Sequence, residues 1–123
     1  MLSMLRSLLS GPSASASADE AAALLTSGAI LVDVRDRAEW ESGHARGAVH
    51  VPLGTIHAQG LRALESKGVS PRAGDTLLLI CHSGMRSGMA CQVLGVDAPF
   101  KTINVRGGML AWQRAGLPME RGS

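Results

Sequence analysis

Apolar positions follow two rhythms along this chain. Thr76-Leu77-Leu78-Leu79-Ile80 is an unbroken run with a β-branched residue at each end, bounded by Gly74 and Gly84. Such a run reads as a strand buried on both faces. Ile30 to Val34, Ala48 to Val51 (closed by Pro52) and Lys101 to Val105 read as further strands. Elsewhere the period lengthens. Met89, Ala90, Val93 and Leu94 recur at helical spacing, which predicts a helix over Ser87 to Leu94. Ser17 with Glu20, and Asp36 with Glu39, have the spacing of a capping box. The first opens a helix to Leu25, ended by Gly28; the second opens a short helix stopped by Gly43. A helix over Thr55 to Ser66 and a last one over Met109 to Arg114, ended by Gly116 and Pro118, complete the set. Alternating strands and helices predict an α/β fold with a mainly parallel sheet and helices on both faces.

The first residues stand apart from this pattern. Met1, Leu2, Leu5, Leu8 and Leu9 line one face of a short helix, but Arg6 interrupts the run. It is too short to span a bilayer. It carries no positive charge before the apolar stretch, so it does not read as a secretory signal, and a cytoplasmic protein is expected. Gly11 to Ser17 reads as a small-residue linker. The expected organisation is an N-terminal extension and linker over 1–16, one folded domain over 17–119, and a tail over 120–123.

Composition narrows the function classes. At 123 residues the chain is one domain by size. With two Trp, one Phe and no Tyr, its core must be aliphatic. A net charge of +2 without any Lys/Arg run argues against nucleic acid. Two cysteines ten residues apart form no disulfide framework and no C-x-x-C. Histidines 44, 50, 57 and 82 lack the close pairing of a zinc motif. No metal and no cofactor is expected.

The chemistry concentrates in Cys81-His82-Ser83-Gly84-Met85-Arg86-Ser87. It lies where the central strand ends and a helix begins, the place where open α/β sheets bind ligands. Free N–H groups of such a loop can turn inward as an anion-binding nest. The first turn of the helix adds unpaired N–H groups and the positive end of its dipole. Arg86 adds a full charge. A thiol placed there is expected to ionise below its free value of about 8.5. Other residues have structural readings. Arg35 pairs with a nearby carboxylate, Trp40 and Trp112 pack, and His44 holds a loop by hydrogen bonds. Cys91 is a small core residue, and Gly107-Gly108 permits close backbone approach beneath the loop.

Three stretches, in order, resemble the signatures of rhodanese domains. The first is Asp33-Val34-Arg35 with Glu39-Trp40, Gly43-His44, Gly47-Ala48 and Pro52. The second is Cys81-x-x-Gly84-x-Arg86-Ser87, and the third is Gly107-Gly108-Met109-x-Ala111-Trp112 with Gly116 and Pro118. The resemblance spans residues 17 to 119. It implies a small, mostly parallel five-stranded sheet and a sulfurtransferase that carries a persulfide on Cys81. The amides of His82, Ser83, Gly84, Met85 and Arg86 would then cradle the outer sulfur. The donor would be a small anionic sulfur compound such as thiosulfate, and the acceptor cyanide or a thiol, including a protein thiol. Arg86 would attract the anionic donor.

The chain departs from that family in places. Where such domains often begin with an apolar strand, it has Ser13-Ala14-Ser15-Ala16, so that strand is expected to be short or missing. His50 stands where Asn is frequent. His82 and Met85 occupy the variable loop positions. Two other classes stay open: a phosphatase or arsenate reductase, and a non-catalytic partner-binding module. The former space Cys and Arg by five residues, whereas four separate Cys81 and Arg86.

Overall fold

The computed structural model describes residues 14–122. The Leu-rich segment expected to form a short helix lies outside them. Among the described residues, seven strands and six helices follow in order: β1 (Ser15–Ala16), α1 (Ala18–Thr26), β2 (Ile30–Asp33), α2 (Arg37–Ser42), β3 (His44–Ala45), β4 (Val49–His50), α3 (Leu53–Gln59), α4 (Leu61–Glu65), β5 (Thr76–Ile80), α5 (Met85–Gly95), β6 (Lys101–Val105), α6 (Gly108–Arg114) and β7 (Met119–Glu120). Five strands form one parallel sheet in the order β1-β6-β5-β2-β4. β3 and β7 pair antiparallel in a separate ribbon.

The apolar run of β5 is the middle of this sheet, and its side chains alternate between two cores. Leu77 and Leu79 pack with Val32, Ile56, Leu64, Ala90 and Leu94 on the side of α3, α4 and α5. Leu78 and Ile80 pack with Leu31, Ile103, Met109 and Trp112 on the side of α1 and α6. All four β5 residues from Leu77 to Ile80 are fully buried. At about 1.5–3 kcal/mol for each large apolar side chain, this strand is the one the fold can least lose.

Both expected capping boxes form. Ser17 Oγ accepts from the Glu20 amide and Glu20 Oε1 from the Ser17 amide, at 3.1 and 2.8 Å. Asp36 and Glu39 repeat the exchange.

The structure redraws several boundaries. Ser15–Ala16, read as linker and as the place of a short or missing strand, is a two-residue edge strand. The Asn104 amide donates to Ala14 O and the Arg106 amide to Ala16 O, so the small residues join the sheet backbone to backbone. The single helix expected over Thr55 to Ser66 is two, starting at Leu53. It breaks at Gly60, whose φ of +60° and ψ of −133° end one helix and start the next. The helix after the cysteine loop starts at Met85, two residues earlier than its apolar spacing indicated. The β3–β7 ribbon was not foreseen, because two-residue strands carry no readable period. It draws Glu120 of the expected tail into pairing, and the Gly122 amide donates to Glu41 O.

Candidate active site

Cys81 follows β5 directly, and strand parity sets its direction. It shares the α5 side with Leu77 and Leu79. Its sulfur faces the start of α5, where Gly84, with φ of +107°, turns the chain into the helix. The Gly84 amide donates to Sγ at 3.1 Å, and the Ser87 hydroxyl lies 3.3 Å from it. Burial by itself would push this thiol up. The Ser87 hydroxyl and the amides of Ser87, Gly84 and Ser83 outweigh burial, and the thiol is held below the ordinary cysteine value.

The loop rests on the start of α6. The amides of Met109 and Leu110 donate to the carbonyls of Cys81 and His82 at 2.8 and 3.2 Å. That contact requires glycine at 108. Its φ is +54°, and a Cβ there would lie 2.6 Å from the His82 carbonyl and also against Cys81 O. Gly108 therefore serves the close approach read from the sequence, whereas a Cβ on Gly107 would meet Ala111 of α6. The Met109 and Leu110 amides at the start of α6 are thus spent on loop carbonyls.

Arg86 is tied down. Its guanidinium donates to both oxygens of Glu39 at 2.7 and 2.9 Å. The bidentate pair holds the Glu39 carboxyl down at about 2 and raises the Arg86 guanidinium. Glu39 was read as the closing residue of a capping box and as part of the first rhodanese-like stretch, not as a partner of Arg86. It both caps α2 and pairs with Arg86, so the start of α2 and the cysteine loop are clamped together. Arg35 makes the expected ion pair, with buried Asp33 at 2.9 Å, and donates to Gly43 O at 2.7 Å. Trp40 is buried between His44 and His50, with ring centroids at 3.5 and 4.9 Å. His44 Nδ1 lies 2.8 Å from Trp40 O, and His50 Nε2 lies 2.7 Å from Arg35 O. These residues hold together the segment from Asp33 to His50, to which the Arg86–Glu39 pair ties the cysteine loop.

Of the residues proposed from sequence, Cys81 is buried, Gly84 and Arg86 are half-buried, and His82, Ser83 and Met85 point outward. Two polar residues of this site were missed: Ser87, which touches the sulfur, and Asn104, which touches Ser87. Ser87 is fully buried, and its Oγ also lies 2.6 Å from Asn104 Oδ1 on β6. Asn104 Nδ2 donates to Gly84 O at 2.9 Å. A signal was present: Thr102 and Asn104 alternate with apolar Ile103 and Val105, which marks a polar stripe on one side of a buried strand. A depression of about 190 Å³ between Val34, Asp36, Pro52, Leu53, Gly54 and Arg86 opens beside the loop. Larger hollows, of about 440 and 380 Å³, are lined by Gly43, Gln113 and Arg121 and by Trp40, His50 and Lys67, away from Cys81.

Comparison with known proteins settles the lineage. The profile of the Rhodanese-like domain matches residues 17–115. The chain belongs to the rhodanese-like family. Its sequence is 35% identical over 94 residues to a protein of Allochromatium vinosum named sulfurtransferase, covering 76% of this chain and 80% of that one. It is 37% identical over 82 residues to a putative sulfur carrier protein of Bacillus subtilis, of whose length this rhodanese-like chain spans 40%. Among solved structures, a rhodanese-like domain protein of Staphylococcus aureus superposes with a TM-score of 0.68 at 28% identity. That match covers 89% of this chain and 98% of that one. Among the described residues, no helix is long and apolar enough to cross a membrane.

Proposed function

We propose that this rhodanese-like protein is a sulfurtransferase that moves sulfane sulfur from a donor such as thiosulfate to cyanide or a thiol through a persulfide on Cys81. One observation carries the reading. A buried cysteine sits at the end of the central strand, against the Gly84 amide and the Ser87 hydroxyl, with its thiol held below the ordinary value. The thiolate attacks the outer sulfur of the donor. A bond forms between Sγ and that sulfur, the donor's S–S bond breaks, and sulfite leaves with the electron pair. The acceptor then attacks the outer sulfur, and Cys81 departs as the thiolate. Amides of the loop from His82 to Arg86 stabilise the negative sulfur as an oxyanion hole stabilises oxygen. Relatives named sulfurtransferase support the same reading. Two unpaired cysteines fit a reducing compartment such as the cytoplasm.

Arg86 has a different task from the one its charge first implied. Its guanidinium is compensated by Glu39, so it holds the loop in shape more than it draws anions. This also weighs against phosphatase chemistry. Such chemistry wants a free guanidinium to grip a phosphoryl group bidentately, in a ring wide enough for several oxygens.

Intact mass after incubation with thiosulfate tests the proposal. The protein should gain one sulfur atom, cyanide should remove it, and Cys81→Ser should gain none. Absence of loading, with aryl phosphate turned over instead, would overturn it.

A further inference from the structure

Ser87 Oγ has one proton and two acceptors. Cys81 Sγ lies 3.3 Å away and Asn104 Oδ1 2.6 Å away. The orientation of the Asn104 amide follows from its surroundings. Its Nδ2 donates to Gly84 O, and a flipped amide would set its oxygen against that carbonyl. The side-chain oxygen therefore faces Ser87 and can only accept. Ser87 itself is fully buried, so no water competes for its proton. The pair is also held in register. Leu79 of β5 is opposite Asn104 of β6, and Cys81 lies two residues beyond Leu79 on the same side.

Proton counting then allows two arrangements. With a neutral thiol, S–H donates weakly to Ser87 Oγ and the hydroxyl donates to Asn104. With a thiolate, the hydroxyl turns to the sulfur, and two oxygens 2.6 Å apart are left with no proton between them. Asn104 thus opposes the ionisation that Ser87 favours. We propose that Ser87 and Asn104 form a two-position hydrogen-bond switch on Cys81, in which Ser87 is a catalytic residue and Asn104 a positioning residue that acts through it. The proposal deepens the sulfurtransferase reading and rests on it for its catalytic consequence.

That consequence differs between the two halves of the reaction. In the persulfide, Sγ is bonded to the outer sulfur and carries no charge, so the hydroxyl rests on Asn104. When the acceptor's lone pair attacks the outer sulfur, the Sγ–S bond breaks and its electron pair returns to Sγ. The Ser87 hydroxyl turns to meet that charge, and no proton leaves it. A better-stabilised leaving thiolate departs faster, whereas an attacking thiolate gains nucleophilicity as it becomes more basic. Loss of the hydroxyl therefore slows unloading more than loading.

Other charged or titratable groups around the loop are the same in wild type and variants, so they cancel in the comparison. These are Arg86 paired with Glu39 on α5 and α2, Asp33 with Arg35 at the end of β2, and exposed His82 on the loop itself. Among the described residues, α6 and β6 contribute Met109 and Asn104 to this surrounding, neither titratable.

The experiment is the pH dependence of iodoacetamide alkylation at Cys81, read by peptide mass on the full chain. Ser87→Ala should move the midpoint up by about one pH unit, and Ser87→Thr should return it toward the wild-type value. Asn104→Ala should move it down, since the competing acceptor is gone. In the double variant the Asn104 substitution should have no effect beyond that of Ser87→Ala. An unmoved midpoint in Ser87→Ala overturns the switch. So does an Asn104→Ala shift that persists without the Ser87 hydroxyl, which would assign Asn104 to support of the Gly84 loop alone. Alkylation needs no sulfur donor, so this outcome is independent of whether thiosulfate loads the protein. In sulfur transfer, a greater loss in loading than in unloading would overturn the catalytic half of the proposal.

Discussion

Cys81 and Cys91 differ more than their positions suggest. Both lie on the α5 side of the sheet, and both are buried, at 1% and 0% exposure. Burial favours the neutral thiol in each. For Cys91 it wins: the thiol is pushed up to about 12, with only weak relief from the Thr102 side chain. For Cys81 it loses to the Ser87 hydroxyl and three amides of a strand-to-helix turn. Two buried thiols thus shift in opposite directions, Cys91 up as a core residue and Cys81, the proposed nucleophile, down. The difference is the supply of unpaired donors, which exists at a helix start and not in its body.

The largest effect should come from Cys81→Ser. It should lower sulfur transfer at least about a thousandfold, roughly 4 kcal/mol of barrier, while the fold stays intact, because the Gly84 amide and the Ser87 hydroxyl can bond a serine oxygen as they do the sulfur. Steady-state turnover and urea unfolding would measure the two. Activity retained in this variant would move the nucleophile to Cys91 and erase the contrast.

Glu39→Gln attacks the contrast from outside the loop. It leaves Arg86 without its carboxylate, and should lower stability by about 1 kcal/mol near neutral pH and activity several-fold as the loop loosens. The pH dependence has a definite sign. The folded carboxyl titrates at about 2 against an ordinary 4.5. Its contribution is therefore fully present above pH 4.5 and is lost as pH falls toward about 2. Thermal midpoints of wild type and variant should converge over that window. Parallel curves would show that the ion pair adds nothing to the fold.

The smallest effect on activity should come from Cys91→Ala. The substitution leaves a small cavity and should cost about 1 kcal/mol, with turnover changed less than twofold. Alkylation of the folded wild-type protein should add one group, at Cys81. A second adduct at the same rate would mean that burial does not silence Cys91.

Much of this contrast was legible in the chain as written. The run Thr76–Ile80 marked the central strand, the glycines marked the turns, and the helical spacing after Ser87 placed Cys81 at a strand end feeding a helix. From these alone Cys81 was read as a reactive thiol and Cys91 as a small core residue, and the two thiols shift in opposite directions. The capping boxes at Ser17 and Asp36 were equally local, because three residues of spacing contain the whole motif.

Tertiary structure decided what local pattern does not encode. Nothing in the spacing of Glu39 and Arg86, 47 residues apart, announces a bidentate pair, since sequence shows charge but not which charges face each other. Asn104 reaches the cysteine loop because parallel pairing sets β6 beside β5 in one register. A slip of one residue would turn it to the opposite face. Ser15–Ala16 becomes a strand only because β6 presents a free edge to it, as backbone groups pair whatever side chains they carry. The chain determined by itself where donors and thiol occur; packing decided which of them meet, because hydrogen bonds form over about 3 Å in space and not along sequence.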